Sequence, residues 1–203
     1  MRYIPIIFFI FLFSFTVISC AKKSDSSSSS SADGLTGTYQ LATNDYANGV
    51  ATDSSGNVYV TGGTKGGLDG NTSAGNTDLF VVKYNSSGTK QWTKQLGSSG
   101  LDSANGVATD SSGNVYVTGV TFGGLDWNTS AGANDLFVVK YNSSGTKEWT
   151  EQLGSASSDY ANGVATDSSG NVYVAGVTYG GLDGNSKGNS DLFVVKYNSS
   201  GTK

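Results

Sequence analysis

The chain has 203 residues, no histidine, one cysteine and a formal net charge of −4. Without histidine it holds no Ser-His-Asp or Cys-His nucleophile pair, and a lone cysteine builds neither a Cys/His zinc site nor an intrachain disulfide. Mild acidity without a basic cluster argues against a nucleic-acid partner, while 29 glycines, one proline and abundant Tyr, Phe, Val and Thr favour strands.

The first twenty residues carry one positive charge, Arg2, followed by an apolar run from Ile4 to Ile18. This is the layout of an export signal. The run falls short of the roughly 20 residues that a spanning helix needs, and it contains Pro5. It ends in "VISC", residues 17–20, which resembles the bacterial lipobox. That resemblance implies a signal peptide over residues 1–19, cleavage before Cys20, and a diacylglycerol on the Cys20 thiol with acylation of the new terminus. Two or more acyl chains anchor stably where one binds marginally. The expected location is the bacterial cell envelope, with the membrane reached through the N-terminal lipid. Ala21 follows the cysteine, which in enteric bacteria points to the outer membrane or cell surface rather than the inner membrane. Residues 20–36 are Ser-rich and too polar to support a core, so they read as a flexible tether with a reach of roughly 20–24 Å.

From residue 37 onward the chain repeats itself. "GVATDSSGNVYV" starts at Gly49, Gly106 and Gly163, and "DLFVVKYNSSGTK" starts at Asp78, Asp135 and Asp191. A fixed period in this range marks a solenoid, a propeller or an array. Each unit reads as four short strands. The first is "GVATD" (49–53), closed by the turn string "SSGN". "VYVTG" (58–62) alternates apolar residues and leads into a long Gly-rich loop. "LFVVKYN" (79–85) is apolar on both faces in its middle, as a strand packed from both sides should be. After the turn "SSGT", the more polar "KQWTKQL" (90–96) reads as an outer edge. Four antiparallel strands per unit make a propeller blade. The small Gly49 and Ala51 suit the crowded strand nearest the axis, and Trp92, Lys90 and Lys94 suit the outermost one. The expected fold is therefore all-β, a β-propeller of three blades at about 46–97, 103–154 and 160–203.

The strings "GVATDSSGNVYVTG", "GGLDGN" and "DLFVVKYNSSGTKQWTKQLG" resemble the bacterial seven-bladed β-propeller (SBBP) repeat family over residues 46–203. The resemblance implies a secreted or surface-exposed propeller and no single activity.

The third copy reaches "NSSGTK" and carries no "WTxQLG" strand, whereas "GTYQL" at 37–41 matches the end of such a strand. Two expectations follow. Residues 37–41 complete the last blade, or the sequence is a fragment of a larger propeller. Three blades do not close a ring, since propellers have about 4–8. A homodimer would make a six-bladed ring.

Three sets of residues are candidates for function. Asp53, Asp110 and Asp167 open an Asp-x-Ser-x-Asn string with a poor fit to a calcium loop, and are read as turn formers. Oxygen ligands recur in the long loop: Asp69, Asn71 and Asp78; Asp126, Asn128 and Asp135; Asp183, Asn185 and Asp191. They are the candidate calcium ligands, and calcium is the one cofactor suggested. The same loop carries most of the side chains that vary between copies, Lys65, Phe122 and Tyr179 at one position and Trp127 at another, where Gly70 and Gly184 stand in the other copies. Aromatic residues there suit a glycan or peptide ligand. The function expected is a lipid-anchored binding or scaffold module for a protein or glycan, and not an enzyme. The alternative is a carboxylate-dependent glycan hydrolase, for which two carboxylates about 5–10 Å apart in a deep pocket are needed.

Overall fold

The computed structural model describes residues 44–203. The signal peptide and tether expected over residues 1–36, with Cys20, and the strand expected at 37–41 lie outside the described residues. The fold is all-β, with eleven antiparallel strands in three sheets of four, four and three. Blade 1 is β1 (Asp45–Thr52), β2 (Val58–Thr64), β3 (Asp78–Tyr84) and β4 (Lys90–Leu96), hydrogen-bonded in that order. Blade 2 repeats it with β5 (Asp102–Thr109), β6 (Val115–Thr121), β7 (Asp135–Tyr141) and β8 (Lys147–Leu153). Blade 3 has β9 (Asp159–Thr166), β10 (Val172–Thr178) and β11 (Asp191–Tyr197). The only helical pieces among the described residues are two 3-10 turns, Leu125–Trp127 and Leu182–Gly184.

The first strand of each blade is longer than the sequence suggests. β1 starts at Asp45, because a bulge between Ala47 and Gly49 lets pairing with β2 continue to Thr64. The bulge recurs between Ala104 and Gly106. It brings the Ser103 carbonyl over Gly119, where an added Cβ would lie 1.9 Å from that oxygen. A glycine inside a strand marks such a close backbone approach.

Successive first strands lie side by side. A Cβ added at Gly106 would lie 3.4 Å from Gly163 Cα, in contact with the neighbouring first strand. Side chains tie these strands together. Asn48 Nδ2 donates to Ala104 O at 2.9 Å and Asn105 Nδ2 to Ala161 O at 2.9 Å. Thr109 Oγ1 donates to Thr52 O, and Thr166 Oγ1 to Thr109 O.

The core lies between blades. Tyr59, Leu79 and Val81 of blade 1 meet Val115, Val117, Phe137 and Val139 of blade 2. Tyr116, Leu136 and Val138 of blade 2 meet Val172, Val174 and Val195 of blade 3. Trp92 and Trp149 are half-buried wedges at these junctions, although their strands are outermost. Trp92 sits between Tyr59 (6.0 Å between ring centroids) and Tyr141 (6.5 Å), and Trp149 between Tyr116 (6.0 Å) and Tyr197 (6.4 Å). Each blade also grips the next one's turn. Lys83 Nζ and Trp92 Nε1 donate to Ser143 O, and Lys140 Nζ and Trp149 Nε1 donate to Ser199 O.

Candidate ligand surface

Antiparallel pairing places the loops between second and third strands, and the links from one blade to the next, at one end of the blades. The tight hairpins occupy the other end. Asparagine (Asn85, Asn142, Asn198) fixes the turn after each third strand, and aspartate fixes the first hairpin of each blade. Asp110 Oδ1 accepts from the backbone of Ser112 and Asn114, both at 2.9 Å, while Oδ2 accepts from Asn114 Nδ2 (2.8 Å) and the buried Tyr116 hydroxyl (3.0 Å). Asp53 and Asp167 make the same four bonds. Burial raises the pKa of the Asp53 and Asp110 carboxyls, but these donors outweigh it and leave both below the ordinary value. Asp167 is lowered to about 2, first by the Asn171 side chain. These aspartates are turn formers.

At the loop end, a buried leucine (Leu68, Leu125, Leu182) pegs each loop to its blade. The following aspartates take the left-handed conformation, with φ of 51 at Asp69 and 54 at Asp126 and Asp183. The asparagine closes the turn, Asn71 N donating to Leu68 O at 3.0 Å and Asn71 Nδ2 to the same oxygen at 2.7 Å. Asn128 and Asn185 close theirs in the same way through the backbone.

The candidate calcium ligands divide between two settings. Asp69 is ion-paired to Lys90 at 2.5 Å and accepts from Thr93, and the Lys90 contact leads in lowering its pKa. Asp126 pairs with Lys147, and Asp183 with Lys203. Asp78 instead accepts on Oδ2 from Ala74 N (2.8 Å) and Gln95 Nε2 (2.7 Å). Asp135 does so from Ala131 N and Gln152 Nε2, and Asp191 from Lys187 N alone. Lysines, amides and glutamines thus occupy one oxygen or more of each carboxylate, while Asp78 Oδ1 and Asp135 Oδ1 are buried without a hydrogen-bond partner. Among the described residues no three His, Cys, Asp or Glu side chains gather around one point.

Sequence reasoning passed over Gln95 and Gln152. Each spans a loop, its Nε2 donating to Asp78 and Gly66 O in blade 1, or to Asp135 and Gly123 O in blade 2. Its Oε1 accepts from Leu68 N at 2.8 Å or Leu125 N at 2.9 Å. The signal was present as the recurrent "QLG". Also passed over were Asp102 and Asp159, fully buried at the blade junctions. Burial first, with a contribution from the nearby Asp78, raises the Asp102 carboxyl's pKa against donation from Ser98 and Thr121. Asp78 and Asp102 are both 0% exposed, sealed from any substrate.

The variable side chains stand at the loop end and reach solvent. Phe122 and Tyr179 occupy one position on adjacent blades and are 46% and 51% exposed; Lys65, their counterpart, is exposed as well. Phe122 N is held by Leu101 O, and Tyr179 N by Ser158 O. The Tyr179 ring meets Tyr160 edge-on at 6.3 Å. Trp127 lies further out, in the 3-10 turn beside β8, and is 100% exposed. Its φ is 70, where Gly70 and Gly184 stand at 82 and 76. A bulky residue in this conformation is an outlier, costing roughly 1–2 kcal/mol.

Blades of four antiparallel strands, joined in series and packed face to face, define a β-propeller repeat protein. A β-propeller repeat model, SBBP, matches residues 40–69, 91–126 and 148–183, and the chain belongs to this family. It is also similar to the regulatory protein FlaEY of Caulobacter vibrioides, 28% identical over 147 residues, covering 66% of this chain and 15% of that protein. A WD repeat-containing protein of Acanthamoeba polyphaga mimivirus is 29% identical over 133 residues, covering 57% of this chain and 9% of the viral protein. The chain thus spans a small part of the length of either relative.

Proposed function

We propose that the protein is a binding module of the bacterial cell envelope, held to a membrane by lipid on Cys20, that presents its loop end to a glycan or protein ligand. The observation that carries this reading is Trp127. Two copies of the loop place glycine at this strained position, and one places a tryptophan there with its whole side chain in water. Nothing in the fold repays that strain, which is how sites of recognition are commonly marked. A rigid, exposed indole stacks well on a sugar ring or seats a peptide side chain. The similarity to a regulatory and a WD-repeat protein fits binding rather than catalysis, and the buried aspartate pair offers no carboxylates to a hydrolase substrate.

The test uses Trp127→Ala in the soluble chain from residue 21 onward, with chito- and malto-oligosaccharides as probes. The variant should melt like the unsubstituted protein, because Trp127 supports no packing. Binding should protect the unsubstituted protein's emission from acrylamide quenching and be lost in the variant. A glycan that binds both equally well would remove Trp127 from the site. The anchor is read separately: Cys20→Ala should abolish palmitate labelling in cells, and equal labelling would overturn the lipid assignment.

A further inference from the structure

The two copies of the fourth strand, KQWTKQL in β4 and KEWTEQL in β8, differ at two positions. The fold absorbs one difference: Glu148, standing where β4 has Gln91, pairs with the buried Lys140 at 2.9 Å. The other is a reversal of charge. Lys94 lies opposite Val81, and Glu151 opposite Val138, at the same place in the two blades. Both are half-buried. Among the described residues neither has a hydrogen-bond or ion-pair partner. The other strand lysines of blades 1 and 2 each hold an oxygen: Lys83 that of Ser143, Lys90 that of Asp69, Lys140 those of Glu148 and Ser199, and Lys147 that of Asp126. Burial raises the Glu151 carboxyl's pKa, and no donor offsets it. The fold accepts either sign at this place and neutralises neither, so nothing within the chain selects the charge.

Lys94 borders a groove between two complete, four-stranded blades. The groove has a volume of about 370 Å³ and is lined by Lys94 and Leu96 of β4 and by Tyr141, Gly145, Thr146 and Lys147 of blade 2. The turn after β7 shapes it. Gly145 has φ 82, and a Cβ there would lie 2.8 Å from Lys94 Cε and 2.9 Å from Trp92 Cδ2. The Lys94 stem and the indole therefore lie across a turn that glycine leaves bare. Leu96 and Tyr141 give the groove apolar wall. Lys147 is already matched by Asp126, which leaves the Lys94 ammonium as the one uncompensated charge among the lining residues. A charge taken partly out of water without a partner costs free energy, and a ligand's opposite charge relieves that cost.

We propose that this groove is a binding site for a carboxylate carried on a short apolar stem. One uncompensated positive charge is matched by one negative charge, which favours a carboxylate over a phosphate dianion. A lysine ammonium is a compact point charge without the fork of a guanidinium, so it selects the ligand by charge more than by shape. The volume stands at the lower end of small-molecule sites and admits a stem of a few carbons. That stem lies along Leu96 and the Lys94 methylenes, and the carboxylate meets the Lys94 ammonium, with the Thr146 hydroxyl and Lys147 alongside. At the next junction Glu151 holds the corresponding place, and there a carboxylate is repelled. Trp127 lines no part of this groove.

The experiment is a saturation-transfer NMR titration of the soluble chain from residue 21 onward with hexanoate, with hexylamine and inorganic phosphate as the contrasting probes. The expected result is saturable binding of hexanoate that neither of the other two displaces. Lys94→Glu installs the residue that blade 2 already carries at this place, so the fold accommodates it, and circular dichroism checks that it does. It should weaken hexanoate binding about tenfold or more, because attraction is replaced by repulsion. Lys94→Arg keeps the charge and should keep the binding. An absence of saturable binding, or an affinity that Lys94→Glu leaves unchanged, would overturn the site. Hexylamine binding as tightly as hexanoate would reduce the groove to an apolar cleft and overturn the part given to Lys94. Displacement by equimolar phosphate would overturn the preference for a carboxylate. No oligosaccharide enters this test, so the proposal and the Trp127 reading fail separately.

Discussion

Blades 2 and 3 contain the same seven letters, DLFVVKY, as β7 and β11. In β7 all seven residues are buried; in β11 only Val195 and Tyr197 are. Lys140 is 7% exposed, paired with Glu148 at 2.9 Å, bonded to Ser199 O and set over the Tyr116 ring. Its twin Lys196 is exposed and keeps only the ring of Tyr173. The sequence is constant, so the difference comes entirely from neighbours. β7 has a fourth strand on one edge and a blade on each face, whereas β11 has neither the strand nor the outer blade. Stability in this fold is therefore mostly a property of junctions, as expected for repeat proteins whose energy divides into units and nearest-neighbour interfaces.

The largest effect expected is from Gly119→Ala. The added Cβ would lie 1.9 Å from Ser103 O and 2.8 Å from Ala104 Cα, both backbone atoms that cannot swing aside. Blade 2 supports both neighbours, so this variant should lose more than about 4 kcal/mol and show no cooperative melt by circular dichroism. Gly176→Ala makes an equal clash with Tyr160 O at 1.9 Å, but in the terminal blade. It should release blade 3 and leave a smaller cooperative transition from blades 1 and 2. Identical melts for the two variants would mean that the three blades fold as one unit.

A milder comparison uses one residue at equivalent positions. Leu136→Ala opens a cavity in the second junction and should cost about 2–5 kcal/mol. Leu192→Ala removes a side chain that already stands in water, and should stay within about 0.5 kcal/mol for a monomer. Denaturant titrations at two protein concentrations measure both. If Leu192→Ala costs as much as Leu136→Ala, the face of β11 is buried in solution and the contrast between the two strands fails.

These contrasts also mark what a reader of the sequence can see. Periodicity gave away the four strands, and the bounds 90–96 of β4 agree with those observed, because alternation and flanking turns are local signals. The early start of β1 at Asp45 was hidden, since it depends on a bulge that pairing with β2 creates. The polar look of "KQWTKQL" suggested a wet outer strand for Trp92, yet the ring wedges between Tyr59 and Tyr141 of two different blades. Asp69 and Asp78 share one Gly-rich loop and looked like joint ligands. Asp69 is held by Lys90 and Thr93, and Asp78 by Gln95, at successive points along one face of the fourth strand. Contacts between strands distant in sequence leave no local trace. The exposure of Trp127 was legible only as a difference between copies.

The smallest effect expected is a pH dependence in which hairpins and junctions act with opposite signs. Asp53, Asp110 and Asp167 have pKa values below the ordinary 3.8, with Asp167 at about 2. A lowered carboxyl stabilises the fold fully above the unfolded value and loses that contribution as pH falls through the folded one. The hairpins should therefore weaken between about pH 4 and pH 2. Asp102 is raised by burial and by Asp78, so its ionised form costs stability at neutral pH. That cost should ease as pH falls through its folded value toward 3.8 and be gone below it. Acidification from neutrality to about pH 4 should thus stabilise the protein slightly, and further acidification should destabilise it. Asp102→Asn should shrink the first phase to the part that Glu151, also raised by burial, supplies, and keep the second. Asp167→Asn should lower stability at neutral pH and shallow the second phase. Denaturant midpoints measured from pH 7 to pH 2.5 resolve both. An initial rise undiminished in Asp102→Asn would mean that the junction carboxylate is not its source.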